Sequence, residues 1–266
     1  MYQKLIRKPM VLILGLVILT GTAMGAGIEI NGTALSKSEG WIEDGVSYVT
    51  LRAVEREGGY GVSWDGKRAG LSGRGAELTA KPGAVYIEVN GRALYVSGGV
   101  RLVDGRTVLP MRVLGNALGA EVNWNDKTAT ASLNTRSAKA PSANYNTEDL
   151  YWLSRVISAE SRGETLWGQI AVGNVVLNRV KSKQFPNTVK GVVFDRNHGV
   201  QFEPVENGAI YQQPTATSIL AAKLALEGTR PVGNCLYFYA PALSKGTWIV
   251  NNRTYYTTIG CHKFYL

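Results

Sequence analysis

A stretch of the N-terminal half is written twice. Residues 49–65 match residues 109–125 at a constant offset of 60, and Arg52/Arg112, Gly59/Gly119, Val62/Val122, Trp64/Trp124, Lys67/Lys127 and Ala69/Ala129 are identical pairs. Two similar openings, Ile30-Asn31-Gly32 and Val89-Asn90-Gly91, precede them with a one-residue slip. Duplication constrains the fold because each copy must form the same small unit, and two packed units bury what neither buries alone. Each copy reads as strands, a short helix and a hairpin. In the second, residues 107–109 read as a strand and Pro110 suits the first helical turn. Met111, Leu114 and Leu118 then make a helical stripe that Gly119 is placed to end. Residues 122–124 and 129–133 read as closing strands about an Asn125-Asp126 turn.

This pair of units resembles the copper amine oxidase N-terminal-like domain, a module of secreted cell-surface proteins of Gram-positive bacteria. Residues 109–124 carry the most specific part of the resemblance, and the first copy is more degenerate. It implies a scaffold or wall-targeting module without chemistry of its own, spanning 26–133. A cell-surface or spore-coat partner is expected through this module. Copper is not implied, because the two histidines of the chain, His198 and His262, lie outside it and imidazole is the ligand copper favours. Residues 134–146 are polar, small and aperiodic, which reads as a linker.

From Thr147 the pattern becomes helical. Thr147 can cap a first helix, with Glu148 and Asp149 in its first turn favouring the dipole. Leu150, Leu153 and Ile157 share one stripe, and the next position on that stripe is Glu160. A carboxyl there faces apolar surroundings near the negative end of a helix, and both raise its pKa. Protonated near neutrality, it can donate a proton to a leaving oxygen. On pattern alone a buried, hydrogen-bonded structural glutamate accounts equally well for it. A second helix is expected over 166–181, with Ile170, Gly173, Val176, Leu177 and Val180 inward. A third is expected over 188–194 and a fourth over 217–227, and residues 236–239, 248–250 and 255–259 read as short strands. Helices beside a small sheet make this part α+β.

Ser158, Glu160, Arg162, Gly163 and Glu164, then Gly168, Gln169, Asn178 and Arg179, stand in an order similar to the spore cortex-lytic cell-wall hydrolase family. Phe185-Pro186, Gln201-Phe202, Tyr237-Phe238, Trp248 and the closing residues 259–264 continue that order across 147–266. One departure is Cys261, where the family more often has Asn or Lys. The resemblance implies a lysozyme-like, mainly helical α+β domain that degrades peptidoglycan glycan strands, several members being lytic transglycosylases. The family's catalytic glutamate falls on Glu160. Its implied role is to protonate the oxygen between N-acetylmuramic acid and N-acetylglucosamine and then to act as base. Attack by the muramoyl C6 hydroxyl gives a 1,6-anhydro sugar, whereas attack by water makes a muramidase, which usually needs a second carboxylate. Glu164, Asp195, Glu203 and Glu206 are unranked candidates for that partner.

Other residues have two readings. Glu164 reads more readily as a solvated or helix-capping residue than as a catalyst, and Arg162 as a surface ion pair. Gln169 and Asn178 can address sugar hydroxyls, brace Glu160 or serve as core amides. Gln201 and Phe202 read as cleft-lining. Tyr237 and Trp248, with Trp152, Trp167, Tyr211 and Tyr239, can stack on sugars, although aromatics at such spacing are more often core. His262 reads as a structural histidine. Two histidines without carboxylates at ligand spacing argue against a zinc hydrolase, and no cofactor is expected.

The bulk numbers set the compartment. Lys4, Arg7 and Lys8, an apolar run over 10–19 and small residues at 23–25 read as an export signal over 1–25, with an uncleaved anchor as the alternative. That segment holds three basic and no acidic residues, so its removal lowers the formal charge from +9 to +6. A moderately basic secreted protein suits anionic wall polymers, and no basic block interleaved with aromatics points to nucleic acid. Cys235 and Cys261 are bridged or free, since sequence does not fix their geometry. The whole reads as a protein of cell wall or spore with peptidoglycan as partner, its α+β architecture a duplicated module followed by a catalytic domain. Two alternatives come from other classes. One is a non-catalytic wall-binding or spore-structural protein, and the other is an amidase cutting the stem peptide.

Overall fold

The computed structural model describes residues 27–197 and 201–266. The expected export signal and His198 lie outside them. The first copy runs β1 (Gly27–Ile30), β2 (Thr33–Ala34), β3 (Gly40–Glu43), β4 (Val46–Thr50), α1 (Leu51–Gly58), β5 (Gly61–Trp64) and β6 (Ala69–Gly73). An added strand, β7 (Ala76–Ala80), leads to the second copy. This runs β8 (Tyr86–Val89), β9 (Arg92–Tyr95), β10 (Arg101–Val103), β11 (Arg106–Pro110), α2 (Met111–Leu118), β12 (Glu121–Asn125) and β13 (Thr130–Asn134). The α+β reading of this half therefore holds.

The copies interlock. Strands β4 and β11 pair antiparallel with Val49 opposite Leu109. Those two residues are also each other's counterparts at the offset of 60, so a local pseudo-two-fold passes through their pair. Both are fully buried. The outer hairpin strands complete a sheet in the order β10-β11-β4-β3. The first strand of one copy joins the last of the other, β1 running parallel to β13, and β8 of the second copy pairs with β7.

Thr50 caps α1 by accepting from the Ala53 amide, and Gly59 and Gly119 end α1 and α2 in the left-handed conformation that glycine adopts without strain. Pro110 is not in the first helical turn as expected. It closes β11 and stands before α2 with extended backbone. The offset of 60 also fails at the final hairpin. Trp64 faces Ala69 across β5–β6, but Trp124 faces Ala131 across β12–β13, so the structural counterpart of Ala69 is Ala131 and not Ala129.

The C-terminal part is α3 (Thr147–Ser161), α4 (Leu166–Lys181), α5 (Val189–Val193), α6 (Ala216–Leu226), β14 (Tyr237–Tyr239), α7 (Thr247–Asn252), β15 (Tyr255–Ile259) and β16 (His262–Tyr265). Asn146, not Thr147, caps α3, its side chain accepting from the Glu148 and Asp149 amides. Residues 247–252 are helical where a strand was expected, and the unanticipated β16 is the central strand of the small sheet β14-β16-β15. Helices α3, α4, α5 and α6 enclose a core that includes Leu153, Ile157, Ile170, Val176 and Leu224.

Residues 134–146 are not a free spacer. Ala138 and Ala140 are buried, the Ala143 amide donates to the Asn90 carbonyl, and Tyr145 reaches the last turn of α6. The contact between the two halves centres there. The Arg92 guanidinium on β9 donates to both oxygens of Glu227 at 2.9 and 2.7 Å, and the Tyr145 hydroxyl donates to the same carboxylate at 3.0 Å. Arg92 also reaches the Asn116 carbonyl and side chain, and Lys223 donates to the Gly91 carbonyl. Tyr95 packs against Trp167 with ring centroids 5.1 Å apart. Both members of the ion pair are largely buried, so removing one strands the other. Glu227→Ala is expected to destabilise the chain by about 3 kcal/mol, and an Arg92→Met/Glu227→Leu double variant to recover most of that, as measured by urea unfolding.

Candidate active site

Glu160 stands in the last turn of α3, on the stripe of Leu153 and Ile157. Its side chain is largely desolvated, which raises its pKa to about 7. The nearby Glu203 carboxylate adds to the rise and the Arg179 guanidinium opposes it. Glu203 begins the 3-10 turn Glu203–Val205, which packs across α3.

Arg179 organises the surroundings. It projects from the last turn of α4, where Leu177 and Val180 are only half-buried while Asn178 and Arg179 are buried. Its Nε donates to the Leu236 carbonyl at 2.7 Å and one terminal nitrogen reaches Gln201 Oε1 at 3.3 Å. The rings of Phe185, Phe202 and Tyr237 surround the guanidinium at 4.8, 5.3 and 5.7 Å. Burial pulls its pKa down to about 10, a fall limited by Tyr237, Asp195 and Glu160. The group therefore stays cationic at neutral pH.

Beside Arg179 opens a cleft of about 790 Å³, lined by Gln184, Phe185, Gln201, Tyr237, Trp248 and Arg253 among others. Of the expected sugar contacts, Gln201, Tyr237 and Trp248 line it. Trp248 sits on α7 with over half its surface exposed, and the Arg253 guanidinium lies 4.7 Å from its ring. The other three are placed differently. Gln169 is buried, donating to the Glu164 carbonyl and accepting from the Ser218 hydroxyl, so it ties α4 to α6. Asn178 donates to the Gly233 and Cys235 carbonyls and fastens the segment before β14. Phe202 is packed under Arg179 and against Phe238, out of reach of the cleft.

The remaining candidates also separate. Glu164 is neither solvated nor a cap. Its buried carboxylate accepts from the Cys261 amide at 3.1 Å, and a Cβ on Gly260 would overlap it, so this glutamate staples the β15–β16 turn to the start of α4. His262 Nδ1 lies 3.6 Å from Glu164, beyond hydrogen-bond reach, and burial lowers its pKa against the pull of that carboxylate. Arg162 donates to the Ser158 carbonyl and to Gln212, not to a carboxylate. Cys235 is buried, Cys261 is exposed, and both are free thiols. Among Asp195, Glu203 and Glu206, Asp195 is buried beside Arg179 while Glu203 acts on Glu160. No three His, Cys, Asp or Glu side chains converge to hold a metal among the described residues.

Sequence reasoning named Arg179 only within the family resemblance, with no role of its own, and passed over Gln184 and Arg253. Arg179 carried a signal of the same kind as Glu160, a charge within a helix whose other positions are almost wholly apolar or small. Gln184 and Arg253 carried none, since each is a polar residue in a segment without helical periodicity. Folding raises the pKa of Glu160, so its neutral form is the one the fold favours. The resulting stability is complete below about 4.5 and is lost as pH rises through about 7. Glu160→Gln removes that loss, so the variant should gain about 1–3 kcal/mol on the parent between pH 4 and pH 8 in urea midpoints.

Comparison with known proteins sets this geometry in a family. Residues 163–265 match the cell wall hydrolase family, and residues 29–133 match the copper amine oxidase N-terminal domain. Glu160 lies just ahead of the first of these segments. A spore cortex-lytic enzyme of Bacillus cereus is 36% identical over 150 residues, covering 55% of this chain and 56% of the relative. The chain thus spans about half the length of such curated relatives. The cell wall hydrolase CwlJ of Oceanobacillus iheyensis is 32% identical over 103 residues, covering 36% of this chain and 72% of the relative. Among solved structures, the catalytic domain of the germination-specific lytic transglycosylase SleB from Bacillus anthracis is 38% identical, covering 47% of this chain and all of that one, with a TM-score of 0.43. The chain belongs to the cell wall hydrolase family, with a copper amine oxidase N-terminal domain preceding its hydrolase part.

Proposed function

We propose that this protein cleaves the glycosidic bond between N-acetylmuramic acid and N-acetylglucosamine in peptidoglycan, as a lytic transglycosylase with Glu160 as its acid and base. The observation that carries the reading is the Glu160 carboxyl, kept half in its acid form near neutrality by burial and by Glu203. The acid form gives its proton to the glycosidic oxygen as positive charge develops at the anomeric carbon. The resulting carboxylate takes the proton of the muramoyl C6 hydroxyl, whose oxygen closes the 1,6-anhydro ring. Gln201, Tyr237 and Trp248 serve as sugar contacts, with Tyr237 and Trp248 offering ring faces and Gln201 an amide on the Arg179 side of the cleft.

Hydrolysis by water is the second reading, and Glu203 favours it as the carboxylate that Glu160 senses. The relatives named spore cortex-lytic enzyme support cortex peptidoglycan as the substrate and a site of action outside the cytoplasmic membrane. The division into residues 26–133, 134–146 and 147–266 remains part of this proposal. So does a role for the N-terminal module in holding the enzyme to the wall.

Mass spectrometry of digested cortex and vegetative peptidoglycan tests the reading. Anhydro ends support transglycosylation, ends heavier by one water support hydrolysis, and new amino groups without new sugar ends would point to an amidase. Glu160→Gln is expected to lower muropeptide release by about 10²–10⁴-fold, and wild-type-like release by that variant removes Glu160 from the chemistry. Because the acid form is required, release by the parent should decline above about pH 7, by about tenfold per pH unit once the carboxyl is mostly ionised.

A further inference from the structure

The two copies of the N-terminal module carry matching surface grooves. One, of about 440 Å³, is lined by Leu51, Arg52, Val62 and Trp64, together with Leu102 and Arg106 from the β10–β11 hairpin of the other copy. The second, of about 410 Å³, is lined by Met111, Arg112, Val122 and Trp124, with Ile42 and Val46 from the β3–β4 hairpin of the first copy. Each of these residues is the counterpart of one in the other groove at the offset of 60. Neither copy forms a groove alone, because the wall opposite each tryptophan comes from its partner across the pseudo-two-fold.

The pattern of retention is informative. Some buried positions have drifted between copies, with Leu51 against Met111 and Val54 against Leu114, while Ala69 and Ala131 stay the same. The exposed arginine and tryptophan of each groove have not drifted. Trp64 and Trp124 keep 54% and 51% of their surface open to solvent, so their identity owes little to core packing. The Trp124 indole is held by a hydrogen bond to Asp126 Oδ1 at 2.8 Å, which fixes the ring face that it presents. Arg112 makes no hydrogen bond or ion pair with another described residue. Among the described residues the Arg52 guanidinium is engaged only by Glu55, at an exposed position where such pairs are weak.

We infer that these grooves are two binding sites for peptidoglycan glycan strands, separate from the catalytic cleft. An exposed indole face suits the apolar face of a pyranose ring. A neighbouring guanidinium suits a stem-peptide carboxylate, or the lactyl carboxylate of a muramic acid without its stem. A poly(alditol phosphate) would match the charge but brings no ring to stack. Two such grooves on one module engage two stretches of glycan at once, so the pair acts as a bivalent clamp. The choice of polymer rests on the proposed function, and the sites themselves do not.

The test measures binding without turnover, using the full chain with Glu160→Gln and peptidoglycan sacculi stripped of anionic wall polymers. In co-sedimentation, Trp64→Ala or Trp124→Ala should each weaken binding about 5- to 10-fold. The double variant should lose about 50-fold or more, since avidity goes with the second site. Arg52→Glu/Arg112→Glu should weaken binding comparably and leave the indoles intact. In the active chain, the double tryptophan variant should release less from insoluble sacculi while cleaving a soluble tetrasaccharide fragment at the parental rate. A double variant with unchanged Tm that sediments like its parent overturns the proposal. So does a parent that binds only sacculi retaining their anionic polymers. Absence of any sugar-end product from the active parent would count against the catalytic reading and leave the sedimentation result standing.

Discussion

The hydrolase part is arranged around one buried cation. Arg179 is drawn out of water at the end of α4, and its desolvation is offset by a carbonyl, an amide oxygen, three aromatic rings and two carboxyl groups at longer range. Those partners come from several separate stretches of chain, so satisfying the guanidinium fixes the position of β14, the 201–205 segment and the Phe185 loop together. The cleft is what lies between them. Glu160 feels the same cation, and its acidity reflects a balance between burial and Glu203 on one side and Arg179 on the other. The cation that organises the cleft thus also limits how far the Glu160 pKa rises.

A second charged group joins the two halves. Arg92 and Glu227 lie far apart in sequence, and their bidentate pair is shielded further by Tyr145 from the intervening segment. With Ala138 and Ala140 buried as well, the connection works as a strap. The grooves of the module and the cleft beside Arg179 consequently hold a defined relation, in contrast to two domains on a flexible tether. In the proposed function, a clamp held in register with the cleft keeps an insoluble polymer close to the site of cleavage.

Much of this was legible beforehand, for identifiable reasons. The second hydrolase helix was bounded correctly at residues 166–181 because its long run of inward-facing apolar positions leaves little choice of frame. Glu160 stood out because a carboxylate on an apolar stripe is costly unless it has a task. Failures came where a local signal had two meanings. Residues 248–250 are as apolar as a strand, yet fold as a helix. Gln169 and Asn178 have the donors and acceptors of sugar ligands, but those groups are consumed by backbone and serine partners inside the protein. Glu164 looked like a surface residue, and only the close approach of the β15–β16 turn revealed its carboxylate as a staple.

By itself the sequence determined the duplication, the helices α3 to α6 and the place of Glu160 on an apolar stripe, because these depend on periodicity and on residues near in the chain. Tertiary structure decided which polar groups remain free to meet a substrate, since that depends on which partners the fold brings within hydrogen-bond reach. It also decided that the final strand lies at the centre of its sheet and that the segment between the halves is packed down. The matching grooves belong to the same class. Their arginines and tryptophans were visible as repeated letters, but the opposite wall of each is supplied across the pseudo-two-fold, and a pairing between residues some 60 positions apart is written in packing rather than in local pattern.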